Sequence, residues 1–259
     1  MSMRGHGVVV TGAGHGIGRA LATRLAAAGA RVVVNDIDDV AANEVAEEIG
    51  GHAAPGDVAS ESGVAELVRT ARRSLGAVDA WFANAGIDRG RGLQADVDDW
   101  ATSLEVNVLA HVRAAQLLVP EWVERGSGRF VVTASAAGLL TMLGSPTYSV
   151  SKHGAVAFAE WLSATYRHRG LIVQVICPQG VKTQMFERTG ALQELLSRDT
   201  ALTPAEVADA TLQALEGDQF LVLPHAEVAD YYAARATQPD RWLAGMNKLQ
   251  QRLEQQDVL

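Results

Sequence analysis

The sequence predicts one α/β domain built on a doubly wound parallel sheet of about seven strands, with helices on both faces. Two observations support this prediction. Short β-rich runs alternate with longer helical patterns along most of the chain. The strand-like runs, such as Val8–Val10, are continuously apolar, which is typical of parallel strands covered on both sides. No linker rich in Pro, Gly or Ser divides the 259 residues, so residues 1–259 are expected to form a single domain.

The predicted elements follow one another in a regular order. Seven strands are predicted at Val8–Val10, Arg31–Val34, His52–Ala54, Val78–Phe82, Arg129–Thr133, Ile172–Ile176 and Gln219–Leu223. Apolar residues at helical spacing predict helices at Ile17–Ala28, Val40–Ile49, Gly63–Leu75, Trp100–Glu124 and Tyr148–Arg167. The acidic run Asp96–Asp99 is expected to cap the fourth of these helices.

Composition argues against several classes of protein. With 22 basic and 30 acidic residues, the net charge of −8 disfavours nucleic-acid binding, which rests on neutralising phosphates. No apolar stretch has the length of a signal peptide or a membrane span, so a cytoplasmic protein without a membrane partner is expected. The one cysteine, Cys177, fits a reducing compartment and a core position. No cluster of His, Cys, Asp or Glu has ligand spacing, so no metal is expected.

A glycine-rich turn, Thr11–Gly18, lies between the first strand and the first helix. Glycines here let the backbone turn tightly and let a pyrophosphate approach the N-terminus of the helix. Such a turn alone is weak evidence, because glycines end many strands. Its position after the first strand of a parallel-sheet pattern favours a Rossmann-like dinucleotide site over a purely structural turn.

Asp36 closes the second strand, about 20 residues after the turn, where an acidic group meets the ribose hydroxyls of an adenosine. A carboxylate there repels the extra phosphate of NADP, and His15 offers no obvious compensating cation. NAD is therefore the expected cofactor. The alternative is that Asp36 caps the next helix, since Asp38 and Asp39 follow it.

Tyr148 and Lys152 stand four residues apart on a predicted helix, and hence on one face. Free tyrosine has a pKa of about 10, and lowering it to about 7 requires about 4 kcal/mol of preference for the phenolate. An adjacent ammonium group and an oxidised nicotinamide both supply favourable charge. The same spacing also occurs on solvated helix faces. Ser135, just beyond the fifth strand, adds a hydroxyl that can hold a substrate oxygen.

Several motifs occur together in a characteristic order. They are the Thr-Gly-x-x-x-Gly-Ile-Gly turn from Thr11 to Gly18, Asp57, Asn84-Ala85-Gly86, Asn107, Ser135, Tyr148, Lys152 and the segment Pro178–Thr183. Each is weak alone, and together they are highly specific. On these residues, from about Gly7 to Thr183, the sequence resembles the short-chain dehydrogenase/reductase family.

The resemblance implies an oxidoreductase with four catalytic residues, Asn107, Ser135, Tyr148 and Lys152. Tyr148 would be the general base in oxidation and the acid in reduction. Lys152 would lower the pKa of Tyr148 and hold the nicotinamide ribose, and Ser135 would orient the reacting oxygen. Asn107 would support a water that relays protons through Lys152.

The turn and the resemblance together predict the residues that bind NAD. They are Gly12, Gly14, His15, Gly16, Ile17, Gly18, Asp36, Asp57, Val58, Asn84, Ala85, Gly86, Tyr148, Lys152, Pro178, Val181 and Thr183. The resemblance implies that Asp57 and Val58 contact the adenine ring. It also implies that Asn84 steadies the sheet and that Thr183 binds the carboxamide.

The sequence departs from the family pattern at two places. Ala83 stands where the family has the first of two asparagines, a change expected to be harmless. Gln179 separates Pro178 from Gly180, where the family has Pro-Gly, and puts a long amide beside the expected nicotinamide site. Its side chain either reaches the substrate or points away and bonds the backbone, and the sequence leaves both alternatives open.

Two apolar segments are further candidates for substrate contact. The loop Leu139–Pro146 contains Met142, and a predicted lid at 185–203 begins with Met185 and Phe186. Their composition favours an uncharged, hydrophobic alcohol or ketone as the substrate.

Residues 227–259 form a predicted helical extension. Its apolar stripe consists of Tyr231, Tyr232, Trp242, Met246, Leu249 and Leu253. The stripe either packs against its own domain or meets a neighbouring subunit, since the resemblance implies a homo-oligomer, either a tetramer or a dimer.

Hydride transfer between NAD and a hydrophobic secondary alcohol or ketone is the leading hypothesis. A carrier-bound 3-oxoacyl reductase is one alternative, which Asp36 and the long tail disfavour because that activity usually goes with NADP and a shorter C-terminus. A non-catalytic dinucleotide-binding regulator is the other. A pure binder has no need of the complete set of four catalytic residues.

Overall fold

A computed structural model describes residues 3–187 and 201–255 of the chain. Seven strands form one sheet: β1 (Gly7–Val10), β2 (Arg31–Val34), β3 (His52–Ala53), β4 (Ala80–Ala83), β5 (Gly128–Thr133), β6 (Leu171–Ile176) and β7 (Leu221–Val222). All neighbouring strands are parallel, and their order is β3-β2-β1-β4-β5-β6-β7. The predicted doubly wound sheet is confirmed, with each strand close to its predicted position.

Helices connect the strands and cover both faces of the sheet. They are α1 (Gly16–Ala27), α2 (Asp39–Ile49), α3 (Glu61–Leu75), α4 (Val97–Leu104), α5 (Ala110–Arg125), α6 (Pro146–Tyr166), α7 (Gln184–Glu187), α8 (Pro204–Leu215), α9 (Glu227–Thr237) and α10 (Pro239–Gln255). Pro146 occupies the first turn of α6, where its missing N–H leaves no hydrogen bond unmade. Within residues 3–187 and 201–255, no helix is both long and apolar enough to cross a bilayer.

Successive strand side chains enter two separate cores. On one face, Val9 and Trp81 pack with apolar residues of α3, α5 and α6. On the other, Val8, Val10 and Phe82 pack with apolar residues of α1, α2 and α8. Both faces of each central strand are therefore buried, which explains why the strands are continuously apolar rather than alternating.

The helix predicted at Trp100–Glu124 differs from the prediction in two respects. It begins earlier, at Val97, because the side chains of Asp96 and Asp99 form a capping box there. It is also divided by a π-helical turn, Glu105–Leu109, between α4 and α5. Such turns are frequent at functional sites, and this one contains the fully buried Asn107.

Candidate active site

A large cleft lies at the carboxyl edge of the sheet, where the segments after β1, β2, β4, β5 and β6 meet. The chain order of the strands reverses between β1 and β4, and open α/β sheets bind ligands outside such a point. The volume of the cleft is about 1460 Å³. Small-molecule sites commonly have volumes of about 300–1000 Å³, so the cleft has room for a dinucleotide and a second molecule.

Most of the predicted site residues line this cleft. From the predicted cofactor site these are Gly12, His15, Gly16, Ile17, Asp36, Asp57, Val58, Asn84, Ala85, Gly86, Tyr148, Lys152, Pro178, Val181 and Thr183. Ser135 and the candidate substrate residues Gln179, Met142, Met185 and Phe186 also line it. Gly14, Gly18 and Asn107 are outside the lining and contact residues within it.

The glycine-rich turn is shaped by contacts that exclude larger side chains. Gly12 has a φ of 60°, and a Cβ there would lie 2.8 Å from the Cα of Ala85. A Cβ on Gly18 would lie 2.0 Å from the carbonyl oxygen of Gly12. Helix α1 then begins at Gly16, and its N-cap residue, His15, makes no side-chain cap bond. The first-turn N–H groups therefore need an acceptor, which a phosphate can supply.

Asn84 ties this turn to the end of β4. Its side-chain Nδ2 donates to the carbonyls of Thr11 and Gly12 at 3.0 and 3.1 Å. The Thr11 hydroxyl accepts from the N–H groups of Asn84 and Ala85, both at 3.0 Å. These bonds hold the ends of β1 and β4 together at the point where the strand order reverses.

Asp36 is buried at the end of β2 and uses both carboxylate oxygens. One accepts from the N–H of Gly14 at 2.8 Å, and the other accepts from the N–H of Asp38 at 3.0 Å. The residue that caps α2 is Asp38, whose side chain accepts from the N–H of Ala41 at 3.1 Å. Asp38 therefore fills the capping role considered for Asp36, and Asp36 remains in the lining of the cleft.

Ser135, Tyr148 and Lys152 converge on one corner of the cleft. Tyr148 and Lys152 lie one turn apart on α6, and Nζ of Lys152 is 5.7 Å from the ring centroid of Tyr148. The same Nζ donates to the carbonyl of Thr133, at the end of β5, at 2.8 Å. Ser135 follows β5, and its hydroxyl accepts from the N–H of Ala137 at 3.1 Å.

Desolvation changes the pKa of both α6 side chains. Tyr148 is partly exposed to the cleft, yet the surrounding protein removes most water from its phenol and raises its pKa to about 12. The Ser135 hydroxyl opposes this increase, and the carboxylate of Asp88 adds to it. Burial also lowers the pKa of Lys152 to about 8. The resemblance implied that Lys152 lowers the pKa of Tyr148, but among the chain's own groups desolvation dominates and keeps the phenol protonated.

Asn107 lies directly behind this corner. Its Oδ1 accepts from the N–H of Ile87, and its Nδ2 donates to the carbonyl of Ile87, both at 2.9 Å. Nδ2 also donates to Oγ of Ser151 at 2.9 Å. The side chain thus fixes α6, which carries Tyr148 and Lys152, against the segment that follows β4.

The predicted lid is described only in part. Met185 and Phe186 lie on α7 and line the cleft. Residues 188–200 lie outside the described residues. The two ends of the segment are joined by a parallel bridge between Val181 and Leu202.

The loop that contains Met142 is held by two helices. The N–H of Met142 donates to Oγ of Ser149, on α6, at 2.8 Å. The carbonyl of Leu139 accepts from Nη1 of Arg235, on α9, at 2.6 Å. The loop is therefore anchored both to α6 and to the C-terminal extension.

The C-terminal helices complete the wall of the cleft. Tyr231 on α9 and Trp242, Met246 and Leu249 on α10 line it. Tyr231 and Trp242 also pack on the core, with their ring centroids 6.3 Å apart. The predicted apolar stripe therefore contacts the chain's own domain.

Asp88 is a residue of the site that the sequence analysis did not single out. It lines the cleft, its side chain is 5% exposed, and it pairs with Arg91 at 2.8 Å. Its charge acts on Tyr148, so it lies near the corner formed by Ser135, Tyr148 and Lys152. The sequence did contain a signal for Asp88. A charged residue two positions after Gly86 must lie at the carboxyl edge of the sheet, where the ends of the strands meet.

Comparison with known proteins identifies the family. The family model described as short chain dehydrogenase matches residues 6–194, more than half of the chain. The chain belongs to the short-chain dehydrogenase family. The 1-deoxy-11-beta-hydroxypentalenate dehydrogenase of Streptomyces avermitilis is 35% identical over 228 residues, which cover 85% of this chain and 84% of that protein. The resemblance inferred from the motifs is confirmed.

Solved structures of this family have the same fold. A short-chain dehydrogenase/reductase from Burkholderia phymatum in complex with NAD has a TM-score of 0.84 and 27% identity, covering 93% of this chain and 96% of that one. A 7α-hydroxysteroid dehydrogenase complexed with NADH and 7-oxo glycochenodeoxycholic acid has a TM-score of 0.78 and 28% identity. The match covers 86% of this chain and 94% of that one. This short-chain dehydrogenase is thus an oxidoreductase of small hydroxyl or ketone substrates.

The burial of Lys152 predicts a pH-dependent stability for this dehydrogenase. Its pKa in the folded chain, about 8, lies below the ordinary lysine value of 10.5 because the side chain is buried, so protonation disfavours the folded state. That destabilisation is complete below about pH 8 and disappears as the pH rises toward the unfolded pKa. We expect the stability of the wild type relative to Lys152→Met to increase by about 2–3 kcal/mol between about pH 7 and about pH 10.

Urea unfolding at several pH values, followed by circular dichroism, measures this difference. Lys248→Met removes an exposed ammonium from α10 and is the control, which should show no such slope. A difference between the wild type and Lys152→Met that does not change with pH would contradict the assigned burial of the charge.

Proposed function

We propose that this dehydrogenase interconverts a hydrophobic secondary alcohol and its ketone by hydride transfer with NAD, with Tyr148 as the acid/base. One observation carries the proposal. The phenol of Tyr148, the hydroxyl of Ser135 and the ammonium of Lys152 converge in one corner of a cleft with room for a dinucleotide and a substrate. The acid (Tyr148), the orienting hydroxyl (Ser135) and the positive charge (Lys152) are therefore all within reach of a single substrate oxygen.

In ketone reduction, Tyr148 donates its proton to the substrate oxygen as that oxygen becomes a hydroxyl. Its pKa of about 12 keeps the phenol protonated at neutral pH, as this direction requires. The Ser135 hydroxyl donates a second hydrogen bond to the same oxygen and fixes the orientation of the carbonyl. A positioned acid of this kind contributes about 10²–10⁴ to the rate.

In alcohol oxidation, Tyr148 accepts the hydroxyl proton and must ionise first. NAD, when bound, supplies the hydride acceptor and a positive charge at the nicotinamide. The chain supplies a second positive charge through Lys152, which the Thr133 carbonyl holds 5.7 Å from the ring of Tyr148. Asn107 keeps α6 in place through Ser151, so this separation is fixed. A water relay near Asn107 stays a prediction.

The cleft has the groups that NAD requires. The uncapped N-terminus of α1 offers N–H donors to the pyrophosphate, and Asp36 offers acceptors to the adenosine ribose. Asp57 and Thr183 both line the cleft, and the family resemblance assigns them to the adenine and the carboxamide of the cofactor. The carboxylate of Asp36 would repel the 2′-phosphate of NADP, and such repulsion gives selectivity. Two similar structures contain NAD or NADH, which supports the same choice.

Apolar residues in the wall of the cleft favour an apolar substrate. Met142, Met185, Phe186 and Trp242 line the cleft, and hydrophobic contacts of this kind bind hydrocarbon surface. The similar proteins act on a hydroxypentalenate and on a hydroxysteroid, which supports a bulky alcohol. A cytoplasmic location and a homo-oligomer stay predictions.

Replacing the phenol of Tyr148 tests the chemistry. We expect Tyr148→Phe to reduce kcat for ketone reduction by about 10²–10⁴, because the proton donor is lost, while the Kd of NADH is unchanged. Absorbance of NADH with a panel of ring ketones measures the rate, and Tyr232→Phe, outside the cleft lining, is the control. Full activity in Tyr148→Phe would rule out the proposed mechanism.

Replacing Asp36 tests the choice of cofactor. We expect the wild type to bind NADH more tightly than NADPH, and Asp36→Asn to narrow the difference, because the repelling charge is lost. Fluorescence titration gives the four dissociation constants. Asp39→Asn, at the exposed start of α2, should leave the ratio unchanged. Tighter binding of NADPH by the wild type would show that the NAD assignment is wrong.

Asp88 provides a test of the acid/base role by pH. Its negative charge raises the pKa of Tyr148, so Asp88→Asn should lower that pKa. Alcohol oxidation requires the ionised phenol, and its rate against pH should therefore shift to lower pH. The pH dependence of kcat/KM measures the shift, with the exposed Asp98→Asn as the control. A profile that stays in place or moves to higher pH would count against Tyr148 as the base.

A further inference from the structure

One face of α10 lines the cleft and has an unusual order of side chains. Its residues recur at spacings of three and four, as expected for one side of a helix. They are Arg241, Trp242, Gly245, Met246, Leu249 and Arg252. Apolar residues occupy the middle, and an arginine stands near each end. At 1.5 Å per residue, the two arginines are separated by about 16 Å along the helix axis.

Two other arginines line the cleft, and both are neutralised by carboxylates. Arg89 pairs with Asp99 at 2.5 Å, and Arg91 pairs with Asp88 at 2.8 Å. These pairs lie in the segment between β4 and α5, on the side of the cleft that contains the end of β4. They add little net charge to the cleft.

The two α10 arginines differ from Arg89 and Arg91 in their partners. Nη1 of Arg241 donates to the side-chain amide of Gln238, a neutral group, at 3.2 Å. Among residues 3–187 and 201–255, no carboxylate forms an ion pair with Arg241 or Arg252. The chain as a whole has a net charge of −8. Within the described part of the chain, these two cations on one wall of the cleft therefore form a local field that attracts anions.

Gly245 lies between the two arginines, in the middle of α10. Glycine destabilises a helix interior relative to alanine. Gly245 has no positive φ that would require glycine, and no atom lies within 4 Å of where its Cβ would stand. Neither backbone conformation nor packing within the described chain explains it. Its missing side chain leaves free space in the apolar part of the wall.

We propose that the substrate of this dehydrogenase is a ring alcohol or ketone that carries a carboxylate remote from the reacting carbon. The ring system lies over Gly245, between Trp242 and Met246, and the carboxylate binds one of the two α10 arginines while the other adds to the attracting field. This inference rests on the proposed function, because it names the substrate class of the same cleft.

The difference between the two groups of arginines gives the substrate its direction. Arg89 and Arg91 are paired with Asp99 and Asp88, so the side of the cleft near Tyr148 offers a substrate carboxylate no net positive charge. The α10 face attracts that carboxylate. An amphipathic acid is therefore oriented with its charged end toward α10 and its hydroxyl or keto group toward Tyr148. The hydroxypentalenate and the 7-oxo glycochenodeoxycholic acid of the similar proteins are both acids, which agrees with this class.

A pair of ligands that differ in charge at one position tests the carboxylate site. The probes are 7-oxo glycochenodeoxycholic acid and its methyl ester, and binding is measured by calorimetry to the NAD complex. The 7-oxo group cannot be reduced by the oxidised cofactor, and the absence of NADH absorbance during the titration checks that the remaining hydroxyl of the probe is not oxidised. We expect the acid to bind about fivefold more tightly than the ester, with a preference that weakens at high salt.

Substitutions on α10 assign that preference to the arginines. Replacing both, by Arg241→Gln with Arg252→Gln, should abolish the preference for the acid, and the single variants give the share of each. Lys248→Gln removes a cation from the same helix outside the cleft lining and should leave the preference unchanged. Equal binding of acid and ester, a preference that survives in the double variant, or no binding of the acid would each overturn the proposal.

Gly245→Leu tests the position of the ring system. Leucine is a better helix former than glycine, so the midpoint of thermal unfolding should be unchanged or higher. The affinity for the acid should fall at least about tenfold, because the side chain fills the space of the ring. Ala244→Leu, outside the cleft lining, should leave affinity unchanged. Undiminished affinity in Gly245→Leu would show that the ring does not lie there.

These results can be separated from those on the proposed function. Turnover of the acid with NADH, and its loss in Tyr148→Phe, test hydride transfer alone. A charge preference in binding, without turnover of any ring ketone, would contradict the proposed function and leave the carboxylate site supported. Turnover of acid and ester with equal KM would contradict the carboxylate site and leave the proposed function supported.

Discussion

The ammonium group of Lys152 is the constraint on which the active-site region depends. A charge inside a protein needs a fixed polar partner, and the Thr133 carbonyl provides it at 2.8 Å. That bond orients α6 relative to β5 and thereby places Tyr148, one turn earlier. The surroundings leave no spare room, since a Cβ on Gly86 would lie 3.0 Å from Nζ, and one on Gly138 would lie 2.7 Å from the carbonyl oxygen of Lys152. Three segments of the chain, which contain Gly86, Thr133 and Gly138, therefore pack against Lys152.

The π turn extends this arrangement to the neighbouring helices. It lies between α4 and α5 and contains Asn107, whose amide bonds both Ile87 and Ser151. A π turn adds only one residue to a helix, and the residues before it and after it each keep the ordinary helical spacing. The sequence therefore predicts one continuous helix, and only the tertiary hydrogen bonds of Asn107 reveal why the helix is interrupted at this point.

The features that the sequence predicts correctly are those with a local signal. Continuous apolar runs predict the strands, and the turn Thr11–Gly18 and the spacing of Tyr148 and Lys152 predict which segments meet at the cleft. An apolar stripe shows which residues of α10 share a face but does not show what that face meets. The surroundings of Gln179 depend equally on tertiary structure, because its N–H donates to His225, a residue 46 positions later.

The bridge between Val181 and Leu202 joins the two ends of the segment that begins with α7. The bridge fixes the two points that the chain after α7 must rejoin, whatever its length. Since doubling the length of a closed loop costs only about 0.6 kcal/mol, a change of length beyond Glu187 would leave the sheet and the glycine-rich turn undisturbed. Evolution can therefore alter the neighbourhood of Met185 and Phe186, and with it this wall of the cleft, while the glycine-rich turn is inherited intact.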